Sequence, residues 1–183
     1  VVAPSRRATF ADMATSTPTA QSSSSSSSEA TAESLGATIL ERLRRSFDAG
    51  RTRPLAWRLE QIRGLERFMS EREDEILEAL ARDLGKPNLE GFIAEVAYMN
   101  GEIELTKKNL ESWMKPDKVG SPVFVQPAKS LVVKEPLGCV LVIAPWNYPF
   151  QLALAPLLGA LAAGNCAVVK PSEVAPHTSA LIA

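Results

Sequence analysis

The chain has 183 residues, of which 45% are hydrophobic and 22% charged, and its formal net charge is −1 at pH 7. This length fits one ordinary globular domain, and a near-neutral charge without a basic cluster excludes an electrostatic nucleic-acid binder. Two cysteines and the single His177 exclude a disulfide framework and a zinc site of usual spacing, so we predict no metal. Cys139 and Cys166 lie in apolar strand-like runs, and we expect them to be buried structural thiols.

Residues 1–33 are rich in Ser, Thr and Ala and contain almost no large apolar side chains. Such a segment buries too little surface to offset its ordering entropy, so we predict a disordered leader. Arg6 and Arg7 among many hydroxyls are typical of a plastid-type transit peptide, whereas Asp12 and Glu33 favour a leader without a targeting role. Both interpretations stay open, and with them a chloroplast or a cytoplasmic location.

Helical periodicity begins near Ser34 and predicts three consecutive helices. The first ends at Gly50, and the second begins at Pro54, a residue that suits the first helical position. Ser70 and Glu73 have the spacing of a capping box and introduce the third helix.

A long fourth helix is predicted between Pro87 and Pro116. Its apolar positions recur at helical spacing and are expected to face inward: Phe92, Val96, Met99, Ile103, Leu110 and Trp113. The acidic residues Glu90, Glu95 and Glu104 are expected to form its solvated face and not a catalytic site.

The period then changes to that of β-strands. Residues 123–125 and 131–133 are short β-type runs that predict a hairpin or a pair of connected strands. The continuous apolar run at 137–143 is typical of a parallel strand covered on both faces. An apolar helix at 150–163 and a second strand at 167–169 complete one βαβ unit.

No charged residue occurs between Glu135 and Lys170, yet this stretch does not predict a membrane span. A spanning helix needs about 20 unbroken apolar residues. Polar and helix-breaking residues interrupt the run, among them Pro145, Asn147 and Pro149. We therefore predict no transmembrane segment.

The turn Pro145-Trp146-Asn147-Tyr148-Pro149 follows the carboxyl end of the first parallel strand, which is where open α/β sheets bind ligands. The amide of Asn147, on a backbone restricted by two prolines, suits the stabilisation of a developing oxyanion. The alternative is an asparagine that satisfies backbone groups of the turn. The spacing alone leaves both interpretations open.

Lys170 and Glu173 follow the second parallel strand, on a turn shaped by Pro171. The lysine suits a ribose hydroxyl or a phosphate, and the glutamate can accept hydrogen bonds from ribose hydroxyls; the alternative is an exposed surface ion pair. The chain contains no G-x-G-x-x-G and no phosphate-loop motif. A bound dinucleotide would therefore be held without the usual glycine fingerprint.

Two blocks, V-I-A-P-W-N-Y-P-F and G-N-C-A-V-V-K-P-S-E-V-A-P, resemble the aldehyde dehydrogenase family at the spacing that family uses. The segment A-R-D-L-G-K-P-N-L-E-G-F-I-A-E-V resembles its class 3 branch, plant members included. The resemblance covers residues 34–183. It implies an α/β fold in which N-terminal helices, a β-hairpin and the first βαβ unit form the truncated N-terminal part of a Rossmann-like NAD-binding domain.

The resemblance implies oxidation of aldehydes to carboxylic acids with NAD, or NADP, by a protein that is a homodimer when complete. In that chemistry a cysteine thiolate forms a thiohemiacetal, hydride passes to the cofactor, and a glutamate-activated water hydrolyses the thioester. Asn147 matches the family's oxyanion-hole asparagine, and Lys170 and Glu173 match residues that contact the adenosine ribose. Glu173 near the ribose 2′-hydroxyl favours NAD. The backbone that lines the nicotinamide side of the cleft is matched by Ala144, Pro145 and Trp146.

The resemblance places the nucleophilic cysteine and the base glutamate well beyond Lys170, outside this sequence. Neither Cys139 nor Cys166 occupies the nucleophile's motif. We therefore expect a partial sequence that is inactive as given. The alternative is a non-catalytic truncated protein that pairs with a full-length subunit through exposed sheet edges and apolar helices.

Overall fold

The computed structural model describes residues 25–183, with side chains from residue 35 onward. The helices are α1 (Ser25–Asp48), α2 (Leu55–Glu71), α3 (Glu73–Leu84), α4 (Asn88–Gly91), α5 (Tyr98–Trp113), α6 (Gln151–Ala163) and α7 (Pro176–Ile182). The strands are β1 (Asp117–Val119), β2 (Ser130–Val132), β3 (Cys139–Ile143) and β4 (Cys166–Lys170). A π-helical run, Phe92–Ala97, joins α4 to α5, and a 3-10 turn, Val123–Val125, lies between β1 and β2.

The predicted βαβ unit is confirmed. Strands β3 and β4 pair in parallel, with Cys139 opposite Cys166 and Ile143 opposite Lys170. Helix α6 is the crossover between them, and it ends at Gly164, whose φ of 87° lies in the left-handed region. Glycine is the residue that adopts this conformation without steric cost, so the helix stops there.

The core lies where α6 packs between α2 and α5. Helix α6 is apolar on nearly all sides, as expected for a buried helix, and most of its side chains are buried. Phe150, immediately before α6, is fully buried and stacks on Phe68 of α2 with ring centroids 5.8 Å apart. The apolar face of α5 contributes Met99, Ile103 and Leu110, all buried as predicted.

Two predictions about the first helices are wrong. Helix α1 begins at Ser25, not near Ser34, because Ser and Ala residues extend a helix at little cost once its packed part has formed. No side chain caps the start of α3, because the Ser70 hydroxyl donates to the Arg67 carbonyl instead. The rest of the predicted leader, residues 1–24, lies outside the described residues, so its disorder stays a prediction.

The fourth helix forms, but its predicted inner face is only partly correct. Phe92 is 36% exposed and Trp113 is 45% exposed. The π-helical run Phe92–Ala97 has a wider turn than an α-helix, which shifts the buried face away from Phe92. Trp113 is the last residue of α5, beyond the part of that helix that α6 covers.

The predicted hairpin exists with a different first strand. β2 pairs antiparallel with β1, whereas Val123–Val125 forms the 3-10 turn and Val123 is 88% exposed. Pro122 and Pro127 flank that run, and proline removes the backbone donors that a strand needs.

Strand β3 is not covered on both faces by the described residues, contrary to the prediction. Val142 is buried, but Leu141 is 60% exposed and Ile143 is 69% exposed. Of the two thiols predicted to be buried, Cys166 is buried but Cys139 is only half-buried. The Cys166 thiol donates to the Leu43 carbonyl across 3.4 Å. Burial raises the pKa of this thiol, which favours the unreactive protonated form.

Arg58 of α2 binds the far end of α6. Its guanidinium is buried and donates from Nη1 to the Ala162 carbonyl (2.9 Å) and from Nε to the Thr52 carbonyl (3.3 Å). A Cβ atom at Gly164 would lie 2.5 Å from Arg58 Nη2, closer than atoms can approach. Gly164 is therefore required both for its backbone conformation and for the space that Arg58 occupies.

Gly164→Ala should destabilise the chain by about 2–4 kcal/mol, because it adds left-handed strain and displaces a hydrogen-bonded guanidinium. Gly159→Ala, on the same helix, is the matched control, since a Cβ there meets no atom within 4 Å. The control should be neutral or stabilising by up to about 1 kcal/mol. Urea unfolding followed by far-UV circular dichroism measures both, and equal effects would contradict this account of Gly164.

Candidate functional site

The two turns that the sequence singled out lie at one edge of the parallel strand pair. Both follow the carboxyl ends of their strands, β3 and β4. The Ala144 amide donates to the Lys170 carbonyl across 3.0 Å, so the pairing continues one residue past β3. Residues 144–149 and 170–173 therefore leave the sheet side by side, at the edge where open α/β sheets bind ligands.

The Asn147 side chain is exposed, and it makes no hydrogen bond to any other described residue. Its backbone carbonyl, in contrast, is held by the Lys86 ammonium at 3.0 Å. The side-chain amide is thus not used to satisfy the turn, and its two N–H donors are open to a ligand. Of the neighbouring candidates, Ala144 is buried while Pro145 and Trp146 are exposed.

Lys170 and Glu173 form an ion pair on the turn after β4. Nζ of Lys170 contacts Oε2 of Glu173, and both side chains are more than half exposed. The hydrogen bond from Lys170 lowers the pKa of Glu173. The surface ion pair expected as the alternative is therefore present, and it leaves both charged groups accessible at the same edge as Asn147.

Lys86 and Glu95 are functional candidates that the sequence patterns did not single out. The prediction that Glu95 lies on the solvated face is wrong, because its side chain is fully buried. Oε1 accepts from Lys86 Nζ at 2.5 Å, and Oε2 accepts from the backbone amides of Phe150 (2.8 Å) and Gln151 (3.2 Å). One signal was available: Glu95 lies three residues after Phe92 and four before Met99, a spacing that places it on the apolar face.

The Lys86 ammonium is surrounded by groups that favour a positive charge. Besides Glu95 and the Asn147 carbonyl, it lies 4.0 Å from the centroid of the Tyr148 ring, a cation–π geometry. Its side chain is only 9% exposed. A buried ammonium needs this set of partners, since an unpaired charge in the interior is strongly unfavourable.

Among the side chains of residues 35–183, no group of three or more His, Cys, Asp and Glu could hold a metal ion. The same part of the chain contains no helix of the length and apolarity that crossing a membrane requires.

A sequence model described as "Aldehyde dehydrogenase family" matches residues 6–183. The chain belongs to the aldehyde dehydrogenase family. It is 48% identical over 149 residues to human "Aldehyde dehydrogenase family 3 member B1", covering 81% of this chain and 32% of the relative. It is 45% identical over 147 residues to "Aldehyde dehydrogenase family 3 member I1, chloroplastic" of Arabidopsis thaliana, covering 80% and 27%. The class 3 resemblance is confirmed, and the chain spans roughly a third of these relatives.

Solved structures agree with this assignment. The substrate-bound AldH of Staphylococcus aureus matches with a TM-score of 0.74 and 42% identity, over 76% of this chain and 30% of that one. A double mutant of Staphylococcus aureus betaine aldehyde dehydrogenase in complex with NAD+ matches with a TM-score of 0.63 and 28% identity, over 78% and 29%. The predicted fold class, an incomplete α/β arrangement of helices and small sheets, is confirmed.

In this aldehyde dehydrogenase chain, Asp83 fixes the start of α7, directly after the Lys170–Glu173 turn. Its buried carboxylate accepts from the His177 amide (3.0 Å) and the Thr178 amide (2.7 Å), and the His177 ring nitrogen Nδ1 lies 2.7 Å away. Burial acts to raise the pKa of Asp83, but the hydrogen bonds from Thr178 and His177 outweigh it, and the net pKa is lowered. Ionised Asp83 therefore stabilises the folded chain.

Because the pKa of Asp83 is lower in the folded state, its contribution is complete above the unfolded value near 3.8 and is lost as pH falls through the folded value. The difference in unfolding free energy between the wild type and Asp83→Asn should be constant from about pH 7 to 5 and shrink below about pH 4. Asp74→Asn, an exposed position on the same helix, is the control. Urea unfolding across this pH range tests it, and a difference independent of pH would contradict it.

Proposed function

We propose that this chain is the N-terminal part of an NAD(P)-dependent aldehyde dehydrogenase that oxidises aldehydes to carboxylic acids. The observation that carries the proposal is the exposed, unpartnered Asn147 amide beside the Lys170–Glu173 turn, at the ligand-binding edge of the sheet. Membership of the family supports it. The nucleophilic cysteine and the base glutamate are proposed to belong to sequence beyond residue 183, so the chain alone is inactive.

In the proposed reaction, an aldehyde, water and oxidised cofactor give a carboxylic acid, reduced cofactor and a proton. A cysteine thiolate attacks the carbonyl carbon, and the carbonyl oxygen becomes an oxyanion. The Asn147 amide donates a hydrogen bond to that oxygen where its charge develops, and such donors lower the barrier because they are already oriented. The neighbouring prolines and the bound Asn147 carbonyl restrict the movement of the turn.

The edge also fits a dinucleotide. A nicotinamide cofactor held at this edge would supply the hydride acceptor for the aldehyde carbon. Glu173 offers carboxylate oxygens to ribose hydroxyls and Lys170 offers N–H donors, and both are accessible. Main chain at Ala144, Pro145 and Trp146 lies on the same edge and would face the nicotinamide side. The charge of Glu173 disfavours a 2′-phosphate, so NAD is the preferred cofactor and NADP the weaker one.

The first experiment is to amplify the transcript beyond the codon for Ala183 and express the complete reading frame. Reduction of NAD at 340 nm with aliphatic and aromatic aldehydes then measures activity. An open frame that encodes a cysteine nucleophile, with aldehyde-dependent reduction, supports the proposal. A stop codon directly after Ala183 would remove catalysis from this protein. The complete protein is proposed to be a homodimer, located in the chloroplast or the cytoplasm.

In the complete protein, Asn147→Ala should lower kcat by about 10²–10³-fold with little change in the KM for NAD, because it removes one oxyanion donor. Its far-UV spectrum and urea midpoint should match the wild type, since the side chain is exposed and binds no other described residue. Asn100→Ala, an exposed position on α5, is the control and should leave kcat unchanged. Wild-type kcat in the Asn147 variant would contradict the oxyanion role.

Glu173→Gln in the complete protein should raise the ratio of kcat/KM for NADP over NAD about fivefold. The reason is that two charges about 4 Å apart in water interact by about 1 kcal/mol, and the change also frees Lys170 for the phosphate. Glu90→Gln, an exposed acid on α4, is the control. An unchanged ratio would show that Glu173 does not determine the preference for NAD over NADP.

One observation favours a second candidate function. Leu141 and Ile143 expose an apolar strip on β3, and a strand pair with unpaired edges associates readily. The chain would then be a non-catalytic protein that pairs with a full-length subunit of the family. Co-expression with such a subunit and size-exclusion chromatography with light scattering test this. A stable monomer that does not co-purify would reject the second function.

A further inference from the structure

We propose that Lys86 and Glu95 form a positioning pair that sets the orientation of Asn147 for aldehyde oxidation, an inference that rests on the proposed function. Neither residue lies on the exposed edge where the reacting groups would bind. Lys86 acts through the main chain of the turn at residues 145–149, and Glu95 acts through the first amides of α6, which follow that turn.

Glu95 fixes the chain on the C-terminal side of the turn. Its Oε2 accepts from Phe150 and Gln151, two amides that have no partner within α6 because they are at its first turn. A carboxylate at this position is also favoured by the positive end of the helix dipole. The start of α6, directly after Pro149, is therefore fixed by a residue 55 positions earlier in the sequence.

Lys86 fixes the turn itself. Its ammonium carries three donors, and two of them reach Glu95 Oε1 and the Asn147 carbonyl. Binding that carbonyl fixes the plane of the peptide between Asn147 and Tyr148, and the ring of Tyr148 lies against the same ammonium. With its carbonyl held inward, Asn147 projects its side chain toward solvent, where the amide is free for a ligand.

The elements that carry the pair are themselves restrained. Lys86 lies between Gly85, whose φ of 64° ends α3, and Pro87, which precedes α4. Glu95 lies inside the π-helical run Phe92–Ala97, a conformation that occurs mostly as single turns and frequently at functional sites. The position of the ammonium relative to the turn is therefore determined by backbone on both sides of Lys86.

A positioning role and a purely stabilising role predict different effects of Lys86→Met on Asn147. That variant keeps the bulk of the side chain but removes the donor to the Asn147 carbonyl. Lys107→Met is the control, since the Lys107 ammonium also binds two oxygens, those of the Glu66 and Glu104 carboxylates, and neither belongs to the turn. A stabilising role predicts similar effects of both variants, whereas positioning predicts effects on Asn147 from Lys86 alone.

The structural readout uses the 183-residue chain and needs no activity. In a triple-resonance spectrum, the carbonyl carbon of Asn147 is observed through the amide of Tyr148. Lys86→Met should shift that carbonyl resonance upfield and shift the Asn147 side-chain amide, and Lys107→Met should leave both unchanged. An unchanged carbonyl resonance in Lys86→Met would overturn the proposal.

The kinetic readout uses the complete protein. Lys86→Met and Glu95→Gln should each lower kcat about 10- to 100-fold with the KM for NAD nearly unchanged, since a small misplacement of a catalytic group has effects of this size. The double variant should be no slower than the slower single variant, because the two residues act as one unit. A carbonyl shift with wild-type kcat would overturn the positioning role.

The two readouts separate this inference from the proposed function. If Asn147→Ala retains full kcat, the oxyanion role of Asn147 is rejected, and the positioning role is rejected with it. The carbonyl shift would then report only the hydrogen bond between Lys86 and the Asn147 carbonyl. If Lys86→Met does not fold, Lys86→Gln, which retains neutral donors, is measured in the same way. Failure of both variants to fold would assign the pair to folding alone and would overturn the proposal.

Discussion

The buried carboxylate of Glu95 joins the helical part of the chain to the βαβ unit. Removing a carboxylate from water is strongly unfavourable unless its oxygens are fully bonded, and here one ammonium and two backbone amides satisfy them. These partners come from two segments distant from each other in the sequence: Lys86 between α3 and α4, and Phe150 and Gln151 at the start of α6. The helical part and the βαβ unit must therefore meet in one register for this charge to be buried.

The same principle operates at the other junctions between the two parts. Helix α6 is apolar on all sides, so apolar contacts alone do not define its rotation or its position along its axis. Glu95 binds its first amides, and Arg58 binds the Ala162 carbonyl at its last turn. Asp83 binds the first amides of α7. Each charge has the sign that the helix dipole favours, with acids at N-termini and arginine at a C-terminus.

Local patterns in the sequence were sufficient for the βαβ unit and for the turn around Asn147, because each depends on neighbouring residues. They failed for Glu95, whose partners lie up to 56 positions away, and they gave no indication of the contact between Arg58 and Ala162, 104 positions apart. Charged residues on helices are usually solvated, so nothing local marks these as buried. The prediction of a strand at Val123–Val125 failed for a local reason. The apolar pattern suggested a strand, but the flanking prolines prevent strand pairing.

The candidate site divides into an exposed layer and a buried layer, and this division fits the role proposed for each. Asn147, Lys170 and Glu173 are exposed, as groups proposed to bind a substrate or a cofactor must be. The side chains of Lys86, Glu95 and Asp83 are buried and bound by other groups of the fold, as the proposed supports of the site should be. The turn at residues 145–149 connects the layers: its backbone is bound from within, and its one amide side chain stays free outside. A short loop of this kind can present a hydrogen-bond donor in a fixed direction only because its carbonyl and the helix that follows it are both anchored.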